Sequence, residues 1–192
     1  KGQVMRTTRT IKHVAHLARA MSVVALFTVA ACGGAASSSG AAASPSTATE
    51  TPPDFELETL SGATVRLGDH IGKDVVLIDF WATYCDPCLA SMPHLDALYQ
   101  KYKAQGFVVL GVSIDGPDSI AQVRSEVQKL GVHFPILLDQ ETQAVSLYNP
   151  KTSAPYSVLI GRHGHVLAKQ EGYSTAGAAD LDAAVANAVA TK

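Results

Sequence analysis

Cysteine is scarce in this 192-residue chain, with three in all, at positions 32, 85 and 88. That number cannot build the disulfide framework that holds small secreted domains together. Cys85 and Cys88 are also too close in sequence to close a long loop, so stability is a poor reason for the pair. A second CxxC is missing, which argues against a closed four-ligand zinc site. His163 and His165 could supply nitrogen ligands, but they fall in a turn where solvent is the default neighbour. No apolar run approaches the roughly 20 residues needed to cross a bilayer. No internal repeat is visible. Basic excess is missing beyond the first twenty residues: past position 31, ten Lys and Arg face 17 acids, a net charge near −7. Nothing there suits nucleic acid or an anionic membrane surface.

The first twenty residues carry Lys1, Arg6, Arg9, Lys12 and Arg19 and no acid, and the apolar run MSVVALFTVAA fills positions 21–31. A positive stretch, a short apolar stretch and small residues make the layout of a secretory signal, with Met5 as the expected initiator. The end of the run, Val29-Ala30-Ala31-Cys32, resembles the lipobox of bacterial lipoproteins. That resemblance implies cleavage before Cys32 and lipidation of Cys32; the alternative is an ordinary signal with an incidental cysteine. Residues 33–51, GGAASSSGAAASPSTATET, offer nothing to a core and are expected to form a flexible tether. The reading is therefore a lipoprotein signal peptide over 1–31, a lipidated cysteine and tether over 32–51, and one domain over 52–192. About 140 residues suffice for a real core.

Along the domain, residues 54–58 and 64–67 predict a hairpin around Ser61-Gly62. Val75 to Trp81 is almost continuously apolar, as a strand covered on both faces must be. Leu95, Leu98, Tyr99 and Tyr102 then recur at helical spacing up to Gly106, with Pro93 expected to kink the helix. A buried strand over 107–114 follows. Ile120, Val123, Val127 and Leu130 predict a helix capped near Asp118 and ended by Gly131. A short strand over 134–138 and a short helix over 141–148 come next. A hairpin of 156–160 and 165–169 precedes an Ala-rich helix over 175–190. This order predicts an α/β fold with a central mixed sheet, helices on both faces and an N-terminal β-hairpin extension.

The chemistry concentrates in Trp81-Ala82-Thr83-Tyr84-Cys85-Asp86-Pro87-Cys88, at a strand-to-helix junction. Free amides and the dipole of a helix N-terminus favour a thiolate, the attacking species in thiol–disulfide exchange. A second cysteine one turn on can resolve the mixed disulfide. Pro87 is tolerated because its missing N–H costs nothing in the first turn. Asp79 interrupts the apolar VVLIDFW strand, and a buried carboxylate of raised pKa can move a proton near neutrality. Asp86, an anion beside Cys85, works against the thiolate and points to a reductant or mild exchanger. His94, next to Pro93, has solvent as its default neighbour.

WATYCDPC is similar to the active-site signature of the thioredoxin superfamily. With the lipoprotein start, the inserted helix–strand unit and the pattern Ser153-Ala154-Pro155-Tyr156-Ser157-Val158-Leu159-Ile160, the chain resembles the TlpA/ResA branch of membrane-tethered thiol-disulfide oxidoreductases over roughly 52–190. The resemblance implies a thioredoxin-like fold with Cys85 as nucleophile, Cys88 as resolving thiol and Pro155 as a cis-proline facing the pair. Ala154, Trp81, Tyr84, Asp86 and Pro87 would line the partner groove, with Trp81 and Tyr84 also serving as packing. Asp79 matches thioredoxin's buried Asp, but Gly111 stands where thioredoxin has a Lys, and Ser91 where ResA-like proteins have a Glu. The redox-active disulfide is the only prosthetic feature expected, with no cofactor and no metal. Implied partners are disulfide-bearing envelope proteins such as apocytochrome c and a membrane thiol reductase as electron donor. The protein is expected to act as a monomer held at the bacterial envelope by its lipid. Two rival readings are a Cu(I) handler using both thiolates and a thiol peroxidase. The latter expects Pro and Thr where this chain has Ile78 and Ala82.

Overall fold

The computed structural model describes residues 52–191. The expected signal peptide, the lipidation site Cys32 and the tether lie outside the described residues. Seven strands form one mixed sheet: β1 (Glu56–Thr59), β2 (Thr64–Arg66), β3 (Val75–Trp81), β4 (Phe107–Ser113), β5 (Ile136–Leu138), β6 (Tyr156–Ile160) and β7 (Val166–Glu171). Their spatial order is β2-β1-β5-β4-β3-β6-β7. β3, β4 and β5 run parallel, and the hairpins β1–β2 and β6–β7 flank them antiparallel. The expected mixed sheet with an N-terminal hairpin is thus the observed one.

β3 is central and buried at all seven positions, which is why its sequence shows no polar alternation. Its side chains divide between two cores by the strand's period of two. Val75, Leu77 and Trp81 face the helices α1 (Asp86–Tyr102), α2 (Ile120–Leu130) and α4 (Thr175–Ala190). Val76, Ile78 and Phe80 face α3 (Gln143–Tyr148) and the N-terminal segment around Phe55 and Leu67. Each large apolar side chain removed from water contributes roughly 1.5–3 kcal/mol, so this strand anchors both layers.

α1 continues through exposed Pro93, and buried Cys88, Met92, Leu95 and Leu98 hold one face of the helix on both sides of it. α2 begins at Ile120, with Ser119 at the N-cap next to the expected Asp118 but without a side-chain capping bond, after a 3-10 turn over Pro117–Ser119. Gly106 and Gly131 end their helices in the left-handed region, at φ 78° and 66°.

Candidate active site

β3 delivers the chain to the mouth of α1. Cys85 is the N-cap of α1, in extended conformation, and its Sγ accepts from the Cys88 N–H at 3.3 Å. Pro87 lies in the first turn, where no N–H is missed. Cys85 and Cys88 form a disulfide with an S–S distance of 2.09 Å. Here Cys85 Sγ is a disulfide sulfur; on reduction a Cys85 thiolate would meet the same N–H and the same helix end. The two cysteines differ in access: Cys85 keeps 8% of its surface exposed and Cys88 none. An incoming disulfide therefore meets Cys85.

The loop between β3 and α1 is held from beneath by a buried network that sequence reasoning missed. Asp115 accepts the Thr83 N–H and, at 2.6 Å, the Thr83 hydroxyl, and Ser113 Oγ donates to its other oxygen at 2.8 Å. The backbone closes the same junction, with Cys85 N–H donating to Ala82 O and Ile114 N–H to Trp81 O. The legible signal was a polar pair, Ser113 and Asp115, at the carboxyl end of a strand next to the one carrying the cysteines. Loops of α/β sheets build their sites at that end.

Asp79 is buried, on the β3 face it shares with Leu77 and Trp81, the face that packs against Cys88 and Met92. Ser157, its cross-strand neighbour on β6, donates to Asp79 Oδ1 at 2.7 Å. Oδ2 has no hydrogen-bond partner among the described residues. Burial raises the Asp79 pKa from the ordinary 3.8 to about 7, against a smaller lowering by the Ser157 hydroxyl. On the other side Asp79 pairs in register with Gly111. A Cβ there would lie 2.8 Å from Phe134 Cε2 and 2.9 Å from Ile136 Cδ1. The space that thioredoxin's Lys needs is filled by an aromatic ring, so the departure at Gly111 is steric as well as chemical.

The other predicted residues divide. The Ala154–Pro155 peptide bond is cis, and Pro155 leads into β6, whose Tyr156 pairs with Phe80 at the cysteine end of β3. Ala154 packs against the cluster that holds both cysteines. Tyr84 is 73% exposed beside Cys85, and Asp86 and Pro87 are exposed with it. Trp81 is a correction as a groove residue, though not as a packing one: it is completely buried among the core residues under α1 and walls no groove, because β3 is covered on both faces up to its last residue. His94 is another: its Nε2 bonds Asp182 Oδ1 at 2.7 Å and its ring leans on Tyr173, joining α1 to the α4 side. Ser91, in the position of the ResA-type Glu, is buried and donates to Cys88 O at 2.8 Å. That places a neutral hydroxyl, not an acid, beside the second cysteine. His163 and His165 are both exposed in the β6–β7 turn.

Residues 48–169 match the AhpC/TSA family. Thiol-disulfide oxidoreductase ResA of Halalkalibacterium halodurans is 34% identical over 155 residues, which span 81% of this chain and 86% of that protein. ResA of Bacillus subtilis is 35% identical over 115 residues, 60% of this chain and 62% of that one. Among solved structures, the thiol:disulfide interchange protein DsbE of Chlorobium tepidum has the same thioredoxin-like fold, with a TM-score of 0.66 at 34% identity over 72% of this chain and 95% of that one.

Proposed function

The chain belongs to the AhpC/TSA family and is a thiol-disulfide oxidoreductase of the ResA kind, and on that premise we propose that it reduces disulfides of envelope proteins from a lipid anchor on the outer side of a bacterial membrane. The observation that carries the reading is the unequal pair at the mouth of α1, with Cys85 retaining slight exposure and Cys88 none.

In the reduced protein the Cys85 thiolate attacks a partner disulfide. One partner sulfur leaves as a thiolate and takes up a proton, and a mixed disulfide remains. The Cys88 thiol then loses its proton to the Asp79 carboxylate and attacks Cys85 Sγ. The partner leaves as a dithiol with two electrons and two protons, and the Cys85–Cys88 disulfide remains. Half-buried Ala154, held in place by buried cis-Pro155, presents the edge along which an extended partner segment lies, and exposed Tyr84 adds apolar surface there. A membrane thiol reductase restores the dithiol, since extracytoplasmic compartments tend to oxidise thiols.

Asp86 supports the direction. A strongly oxidising pair needs its reduced form stabilised by a low thiolate pKa, and a carboxylate at the first helical position competes with the thiolate for the same helix end. Apocytochrome c, which needs its cysteines reduced for haem attachment, is one partner of the proposed class.

Trapping tests the reading. The Cys88→Ser chain, expressed in its native envelope, should accumulate mixed disulfides through Cys85, and mass spectrometry should identify extracytoplasmic proteins. Failure to reduce insulin under dithiothreitol, with no trapped partner, would overturn it.

A further inference from the structure

Asp79 is sealed inside the domain; the proton it takes from Cys88 either returns to Cys88 when the dithiol is restored or exchanges with solvent, and the carboxyl group follows the bulk pH only where a path to water exists. Its one protein partner, Ser157, also lines a solvent-open cleft of about 220 Å³ between β6, β7 and α4, together with Gln170, Asp180, Leu181 and Ala184. Neither cysteine, and no residue of the Ala154–Pro155 bond, lines this cleft. The cleft is therefore lined by residues other than those expected to meet a partner.

We propose that Ser157 is the positioning residue that links buried Asp79 to water in this cleft and lets the carboxyl group return its proton by a route separate from the partner groove. The proposal rests on the Asp79 role given above. Protonated Asp79 donates to Ser157 Oγ while the Ser157 hydroxyl proton passes to a cleft water. Rotation of the hydroxyl restores the starting bond, with one proton in, one proton out and no net change on Ser157. Few charged groups compete. In the core layer on the Asp79 face of β3, α1 contributes Cys88, β4 places Gly111 beside Asp79, and the charged residues on the cleft are Lys169 of β7 and Asp180 of α4. His94 and Asp182 are bonded to each other.

The test combines carboxyl carbon-13 NMR of Asp79 with the pH dependence of insulin reduction by the full chain. In the wild type the activity limb should follow the Asp79 titration. Ser157→Ala removes the donor that stabilises the carboxylate, so the titration midpoint and the activity limb should both move up by about one pH unit. Ser157→Thr keeps the hydroxyl and should restore both. Ala184→Leu fills the cleft without touching the hydroxyl; it should slow turnover at least about threefold while leaving the midpoint within a few tenths of a unit. If Asp79→Asn leaves the limb unchanged, the Asp79 role itself falls. If Asp79→Asn abolishes the limb but Ser157→Ala leaves midpoint and limb where they were, or Ser157→Thr fails to restore them in a folded protein, the Ser157 assignment alone is overturned. Unchanged turnover in Ala184→Leu overturns the cleft as the exit.

Discussion

The Asp115 carboxylate receives both the backbone N–H and the hydroxyl of Thr83, the latter at 2.6 Å, across 32 positions of sequence. The bond pins the loop between β3 and α1 to the end of β4, so the cysteine pair is held by a strand that carries no cysteine. Asp115→Ala would leave the Thr83 hydroxyl and N–H and the Ser113 hydroxyl buried without an acceptor. A loss of about 3 kcal/mol is expected in urea unfolding of the oxidised protein. Thr83→Val, which removes only the hydroxyl, should cost less.

The unequal burial of the two sulfurs sets an order of modification. In the reduced protein a small alkylating reagent should label Cys85 at least tenfold faster than Cys88, because Cys88 is completely enclosed while Cys85 reaches the surface and caps a helix. Time-resolved peptide mass spectrometry checks this. Equal rates would contradict the assignment of Cys85 as the attacking sulfur.

The raised pKa of Asp79 makes stability depend on pH in a defined direction. The folded carboxyl titrates at about 7 and the unfolded one near the ordinary 3.8. Between these values the folded protein keeps a proton that the unfolded chain releases, so stability falls as pH rises from about 4 to about 7. Asp79→Asn cannot titrate. Its stability relative to the wild type should therefore climb across that window, by on the order of 3–4 kcal/mol in total, and level off above it. Urea titrations at pH 4, 5.5 and 8 measure the trend.

Gly111 should not accept the Lys that thioredoxin carries beside its Asp. Any Cβ at this position meets the Phe134 ring at 2.8 Å and Ile136 at 2.9 Å. Gly111→Ala should cost about 1–3 kcal/mol and Gly111→Lys more, as overpacking in a closed core. Phe134→Ala should relieve part of the Gly111→Ala penalty in a double-mutant cycle.

The sequence by itself determined the order of elements, the double-sided burial of β3 and the redox pair at a helix mouth. Each is written in contiguous residues: the unbroken VVLIDFW run, the CxxC two residues apart and the glycines that stop the helices. It also determined that Asp79 lies opposite Gly111, since parallel neighbours with matched apolar runs leave little freedom of register. Only the tertiary structure decided what touches Asp79 and what holds the loop. Ser157 lies 78 positions from Asp79, and Asp115 lies 32 from Thr83. A lone Ser in a strand or an Asp after one has many partners open to it until the sheet order brings β6 beside β3 and β4 on its other side. Trp81 and His94 were misplaced for the same reason. Local pattern records which residues are apolar or polar, whereas burial depends on the layers that α1 and α4 add from elsewhere in the chain.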